Sequence, residues 1–243
     1  MLACLARTAI LAAAFLTGCG MAAADDLADF NAAAETVASH YRVAIGYLRT
    51  GNIDLARLEI DRTREAWGAL QQHFAGRRPD MFVGNRLYGR IYTGVSARLV
   101  GAELLLNAGR PDAAADSLNA VRDDFYALRK SAGIAVLADC IHDANTAMDA
   151  LMVYNNRALD WSKAEIRDSV GAKAAAYGTL LDRCDGMAGD TVRKSGEFRR
   201  LVDGAKASLI LIPKAIADRD GDLLHRLLIE LRSFDNLLAF RYG

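Results

Sequence analysis

From Leu27 onward, apolar residues return every three or four positions. Leu27, Phe30, Ala34, Val37, Tyr41, Ala44, Ile45 and Leu48 fall on one helical face. A period near 3.6 marks an amphipathic helix that buries one stripe. The run "RTGNID" (49–54) interrupts it, and Ile53, Ala56, Ile60, Trp67, Leu70 and Phe74 make a second stripe. Gly76 and Pro79 break the next stretch, "AGRRPDMFVGN" (75–85), into a loop. The pattern then predicts helices over about 85–108 and 111–131, separated by "NAGRPD". Pro111 suits a first helical turn, where its missing N–H leaves no hydrogen bond unmade. A fifth helix is expected over about 134–158. In "LDWSKAE" (159–165), Ser162 is the expected N-cap of the sixth helix, with Glu165 completing a capping box. The sixth helix ends near "GMAGD" (186–190). A seventh covers about 194–218, with Pro213 expected to kink it. "DRDGD" (218–222) turns into the eighth, whose buried stripe is Leu224, Leu227, Leu228, Leu231, Phe234 and Leu238.

The hairpin turns near 51, 109, 160 and 220 are evenly spread, which raises the question of duplication. "WGALQQHFAG" (67–76) aligns with "YGTLLDRCDG" (177–186) through the aromatic, the following Gly, a Leu and the final Gly. "GRPD" (109–112) and "DGDL" (220–223) stand in similar relation. The expected fold is all-α: two tandem antiparallel four-helix bundles of eight helices in all, over 25–133 and 134–243. A single curved solenoid of αα-hairpins is the alternative.

Composition fits this picture. Of 243 residues, 52% are hydrophobic and only 3 are Pro, so a helical core is affordable. Thirty basic residues balance thirty acidic ones. A net charge of zero gives no general attraction to nucleic acid.

The first residues carry a different pattern. "MLACLAR" places Arg7 ahead of "TAILAAAFL" (8–16), an apolar run too short to span a bilayer. This is the layout of a secretory signal peptide. Cleavage after Ala22-Ala23-Ala24 would remove residues 1–24 and free a periplasmic protein. The competing reading is the lipobox-like "LTGC" (16–19), which would remove residues 1–18 and leave lipid on Cys19. No later stretch has the length and apolarity of a membrane span. Export or lipid anchoring is therefore expected, with membrane contact only through the anchor.

The last helix, "GDLLHRLLIELRSFDNLLAFRYG", resembles the final helix of the cytochrome c-prime family. There a four-helix bundle ends in Cys-x-x-Cys-His, followed by an aromatic residue and Arg. Setting Phe240–Arg241 on that pair puts Ser233 and Asn236 in place of the haem-attaching Cys residues and Leu237 in place of the iron-binding His. The resemblance thus implies the bundle plan without covalent haem, and Cys-x-x-Cys-His occurs nowhere in the chain. The tail itself reads as structural.

Few residues point to chemistry. Gly-x-Ser-x-Gly, HExxH and a phosphate loop are absent from the sequence. In "DCIHD", Asp139, His142 and Asp143 share one helical face and could hold a divalent ion. Met148 and Met152 nearby could suit Cu(I). The alternatives are a solvated polar face and, for Met148, core packing. Cys140 and Cys184 stand at similar heights on either side of the turn near 160, and an exported compartment is oxidising, so a disulfide is expected. Two buried thiols are the alternative. Tyr88, Arg90 and Tyr92, with Arg77 and Arg78 before them, are the expected exposed aromatic–Arg interaction surface. Arg193, Lys194, Arg199 and Arg200 form a second basic patch.

These readings favour an exported, non-catalytic binding or interaction module, its partner another periplasmic or envelope protein. A carrier of metal, copper or haem is the alternative. An enzyme whose site is assembled from several helices is the third.

Overall fold

The computed structural model describes residues 18–155 and 159–243, with side chains from Asp26 onward. Every regular element among them is helical: α1 (Gly18–Arg49), α2 (Ile53–Phe74), α3 (Arg86–Asn107), α4 (Pro111–Ser131), α5 (Leu137–Met152), α6 (Ala164–Met187), the single turn α7 (Asp190–Arg193), α8 (Gly196–Ala217) and α9 (Gly221–Tyr242), plus a 3-10 turn at Asp80–Phe82. Residues 1–17, within the expected signal peptide, lie outside the described residues, as does the side chain of the expected lipidation site, Cys19. α1 runs without a break through the alanines ahead of Asp25, residues of high helix propensity.

The chain folds into two antiparallel bundles. α1, α2, α3 and α4 pack in sequence, and α4 closes the ring against α1. α5, α6, α8 and α9 repeat that plan, closed by α9 on α5. An open solenoid would leave those first and last helices apart, so that alternative is set aside. Each bundle has its own core. Phe30, Trp67, Leu99 and Phe125 lie in the first. Met148, Tyr177, Phe198 and Leu231 lie in the second. Ala132 and Ile134 still pack on the first core, whereas Leu137 packs on the second.

Several helix ends depart from expectation for local reasons. α6 begins at Ala164, with Lys163 at the cap position and no side-chain cap. Ser162 is held instead by Asp160, whose carboxylate accepts from the Ser162 N–H (3.2 Å) and hydroxyl (2.6 Å). This Asp-centred turn competes with capping. The expected seventh helix is α8, which starts where Ser195 caps it by accepting from the Phe198 N–H at 3.2 Å, and the unexpected single turn α7 precedes it. α8 continues through Pro213 to Ala217. α5 starts later than expected because Val136 is extended.

The bundles meet along α4–α5 and α1–α9. Arg129 of α4 grips Asp139 of α5, both buried. The Tyr126 ring lies 4.2 Å from His142, and its hydroxyl donates to Asp143 at 2.6 Å. On the other side Phe240 packs on Gly46, where a Cβ would come within 3.0 Å of the ring. Arg42 donates to the main-chain oxygen of Gly243 at 2.5 Å. Tyr242 meets Phe198 edge-on at 5.1 Å, and Arg241 pairs with Glu197 at 3.0 Å. The residues "FRYG" therefore join α9 to both bundles. The expected α9 stripe is buried except at Phe234, which is half-buried.

Candidate functional site

Between the bundles lies a cleft of about 320 Å³ built by α1, α4, α5 and α9. α1 supplies the adjacent Tyr41 and Arg42 and, two helical turns on, Arg49. α4 supplies Asn119 and Arg122. Asn145 and Asp149 come from α5, and Arg232 and Asn236 from α9. A neighbouring cavity of about 290 Å³ shares Tyr41 and Arg122 and adds Arg129 and Arg241.

The four arginines of the first cleft are not equivalent. Arg42 is buried and neutralised by Glu35, Nη2 to Oε1 2.5 Å. Arg232 bridges Asp149 (2.5 Å) and the buried Asp235 (3.1 Å). Asp235 also accepts from Asn145 at 2.6 Å and from the Tyr177 hydroxyl at 3.4 Å. Burial nevertheless drives its pKa up to about 6. Arg49 is exposed and has no ion-pair partner among the described residues. Arg122 has only Asp123, 3.8 Å from Nε, and that buried Nε has no hydrogen-bond partner.

The remaining polar groups suit binding. Burial raises the Tyr41 pKa to about 12, against the pull of Arg42, Arg122 and Arg129, so the phenol keeps its proton at neutral pH. Guanidinium stays charged and donates in a planar fork, and the asparagine amides offer both donors and acceptors. These groups hold polar ligands well and move protons poorly near neutral pH.

The residues singled out in the sequence go to different places. Cys140 and Cys184 come together as a disulfide between α5 and α6, their Cα atoms 5.4 Å apart, a separation ordinary for such a bond. Asp139, His142 and Asp143 do not converge. Asp139 is held by Arg129 and also accepts from the Val136 N–H at 3.3 Å. Asp143 turns to Tyr126 and Arg183. His142 stacks on Tyr126 with its pKa lowered, first by burial and then by Arg122. The polar face of "DCIHD" is thus part of the seam between the bundles. Among the described residues no three His, Cys, Asp or Glu side chains form a metal-binding group. Met148 is fully buried in the second core.

The expected aromatic–Arg surface is corrected at Tyr88, which is buried rather than exposed. It lies on the inward stripe of α3 with Ile91, Val95 and Leu99 and stacks on Phe82. Its hydroxyl accepts from that of half-buried Tyr92 at 2.7 Å. Arg78 covers the Tyr88 ring at 4.9 Å, and these three line a groove at the end of the first bundle. Arg77 pairs with Asp26, and Arg90 is exposed. Ser233, Asn236 and Leu237, the positions set against the haem motif, are all on the exposed face of α9. In the basic patch, Arg193 donates to main-chain oxygens of Asp185, Gly186 and Ala188, and Arg199 pairs with Asp185.

No protein-family model, curated protein or solved structure matches this chain.

Proposed function

We propose that this chain is an exported, non-catalytic binding module whose ligand sits between the two bundles. The observation carrying the reading is the cleft itself: a cavity at the lower end of the small-ligand range, walled by polar groups from four helices. Its arginines and asparagines recognise rather than transform. The leader pattern and the Cys140–Cys184 pair support export, since such a bond is retained in an oxidising compartment. No helix among the described residues is long and apolar enough to cross a membrane, which leaves Cys19 as the proposed anchor point if lipid is attached. The tail resemblance supports a haemless relative of the cytochrome c-prime bundle, with the ligand held outside the bundle cores.

A second reading is docking of another envelope protein on the first bundle. It is favoured by Leu55 and Leu58 on α2 and by Val100 and Leu104 on α3, all exposed.

Osmotic-shock fractionation of a host making the full chain tests the export half. The chain is expected in the periplasm, or in the membrane fraction with release on Cys19→Ala; recovery in the cytoplasm would overturn it. For the cleft, Ala239→Trp, which fills it, is expected to abolish ligand retention through gel filtration. Unchanged retention would place the ligand elsewhere.

A further inference from the structure

We infer that the inter-bundle cleft holds a small organic anion with two or more acidic groups, carboxylate or phosphate, anchored between Arg49 of α1 and Arg122 of α4. This rests on the cleft being the ligand site and adds the class of ligand.

Charge is the starting point. Four guanidiniums line the cleft beside a single carboxylate, Asp149. Arg42 is balanced by Glu35, and Arg232 by Asp149 and Asp235. Arg49 is left with no ion-pair partner among the described residues, and Arg122 with only Asp123 at 3.8 Å. Arg122 carries the stronger indication, because its Nε is buried without an acceptor. A guanidinium short of acceptors is unfavourable, and although the enclosed Nε is itself out of reach, an acidic oxygen in the cleft would supply an acceptor to the part of Arg122 that lines it. Guanidinium meets carboxylate or phosphate through two parallel hydrogen bonds, the geometry that makes such pairs strong and selective.

The rest of the wall is consistent with an anion that also carries hydroxyl or ester oxygens. Tyr41 stays protonated and lines both cavities, so its hydroxyl is a potential donor to a ligand there. Asn119 and Asn236 offer amide donors at the same cleft. Acidic groups of this kind occur on free metabolites and on anionic lipid headgroups, and the two sources share the chemistry proposed.

The test is isothermal titration of the full chain with citrate, inorganic phosphate and uncharged glucose at constant low ionic strength. Vesicles of phosphatidylglycerol form a separate arm. Saturable citrate or phosphate binding is expected, weakened at least tenfold in Arg49→Met and in Arg122→Met, with glucose inert. Arg49 is exposed, so its variant folds even if loss of Arg122 perturbs the seam. Binding to vesicles alone, lost in Arg49→Met, would support the same site with a headgroup as its source. Anion binding unaffected by either variant would overturn the inference. If only an uncharged host ligand is retained, and Ala239→Trp releases it, the anion class fails while the cleft stands. If neither class binds, both fail.

Discussion

Arg129 and Asp139 form a bidentate ion pair across the turn that joins the bundles, with Nε to Oδ2 2.9 Å and Nη2 to Oδ1 2.6 Å. Both side chains are 8% exposed. Removing one partner leaves a buried charge uncompensated. Asp139→Ala is therefore expected to lower stability by about 3–5 kcal/mol. Replacing both, as Arg129→Met with Asp139→Leu, should restore most of that loss, because the desolvation cost of two charges disappears with them. Urea unfolding of the two variants checks this; equal losses would show that packing rather than charge holds the seam.

The Cys140–Cys184 bond crosslinks α5 and α6 within the second bundle. Reduction is expected to cost about 2–4 kcal/mol. Trp67 lies in the first core and Trp161 packs against the second, so each reports one bundle. In single-Trp variants, dithiothreitol should shift the denaturation midpoint seen by Trp161 more than that seen by Trp67.

Asp235 gives stability a pH dependence. It faces Arg232 on its own helix, Asn145 and Asp149 on α5 and Tyr177 on α6. Its folded pKa of about 6 exceeds the ordinary 3.8, so between those values the folded state binds more protons than the unfolded. Stability from this group falls as pH rises from 4 to 6, by on the order of 3 kcal/mol. Asp235→Asn should remove that dependence, gaining on the natural protein between pH 4 and pH 7 in urea titrations. His142 acts in the opposite sense. Its lowered pKa makes the folded state refuse a proton that the unfolded chain takes up, so stability is lost as pH falls through 6.5 and below.

Gly204 is required by a neighbour. A Cβ there would sit 2.6 Å from the tip of the Phe234 ring, whereas at Gly68 it would meet nothing within 4 Å. Gly68→Ala is expected to stabilise by about 0.5–1 kcal/mol through helix propensity. Gly204→Ala forfeits that gain to overpacking, which costs about 1–3 kcal/mol. Thermal melts of the two variants should move in opposite directions.

Much of the architecture was legible because a 3.6-residue period writes each buried stripe directly into the chain. Phe30, Trp67 and Leu231 all lie where that period places them. Tyr88 was misjudged because its neighbours Arg86 and Arg90 give the segment a polar look, although it keeps the step to Ile91 and Val95. Ser162 looked like a cap because capping and Asp-centred turns use the same residue types. The cleft was not legible at all. Arg42 and Arg49 lie far in sequence from Arg122 and farther from Arg232, and no local motif links them. The packing of α4 on α1 brings Arg122 to them, and the docking of α9 on α1 brings Arg232. The same holds for Asp139, whose partner Arg129 lies in the preceding bundle and turned an apparent metal ligand into half of an ion pair.

The intact mass of the chain, purified from the envelope of an exporting host, bears on the proposed function most directly. An exported binding module should appear without its leader and two hydrogens lighter than the dithiol. Under native spray it should carry a small organic adduct that denaturation removes. An unprocessed dithiol chain bearing nothing, or a chain with a stoichiometric metal in place of that adduct, would contradict it.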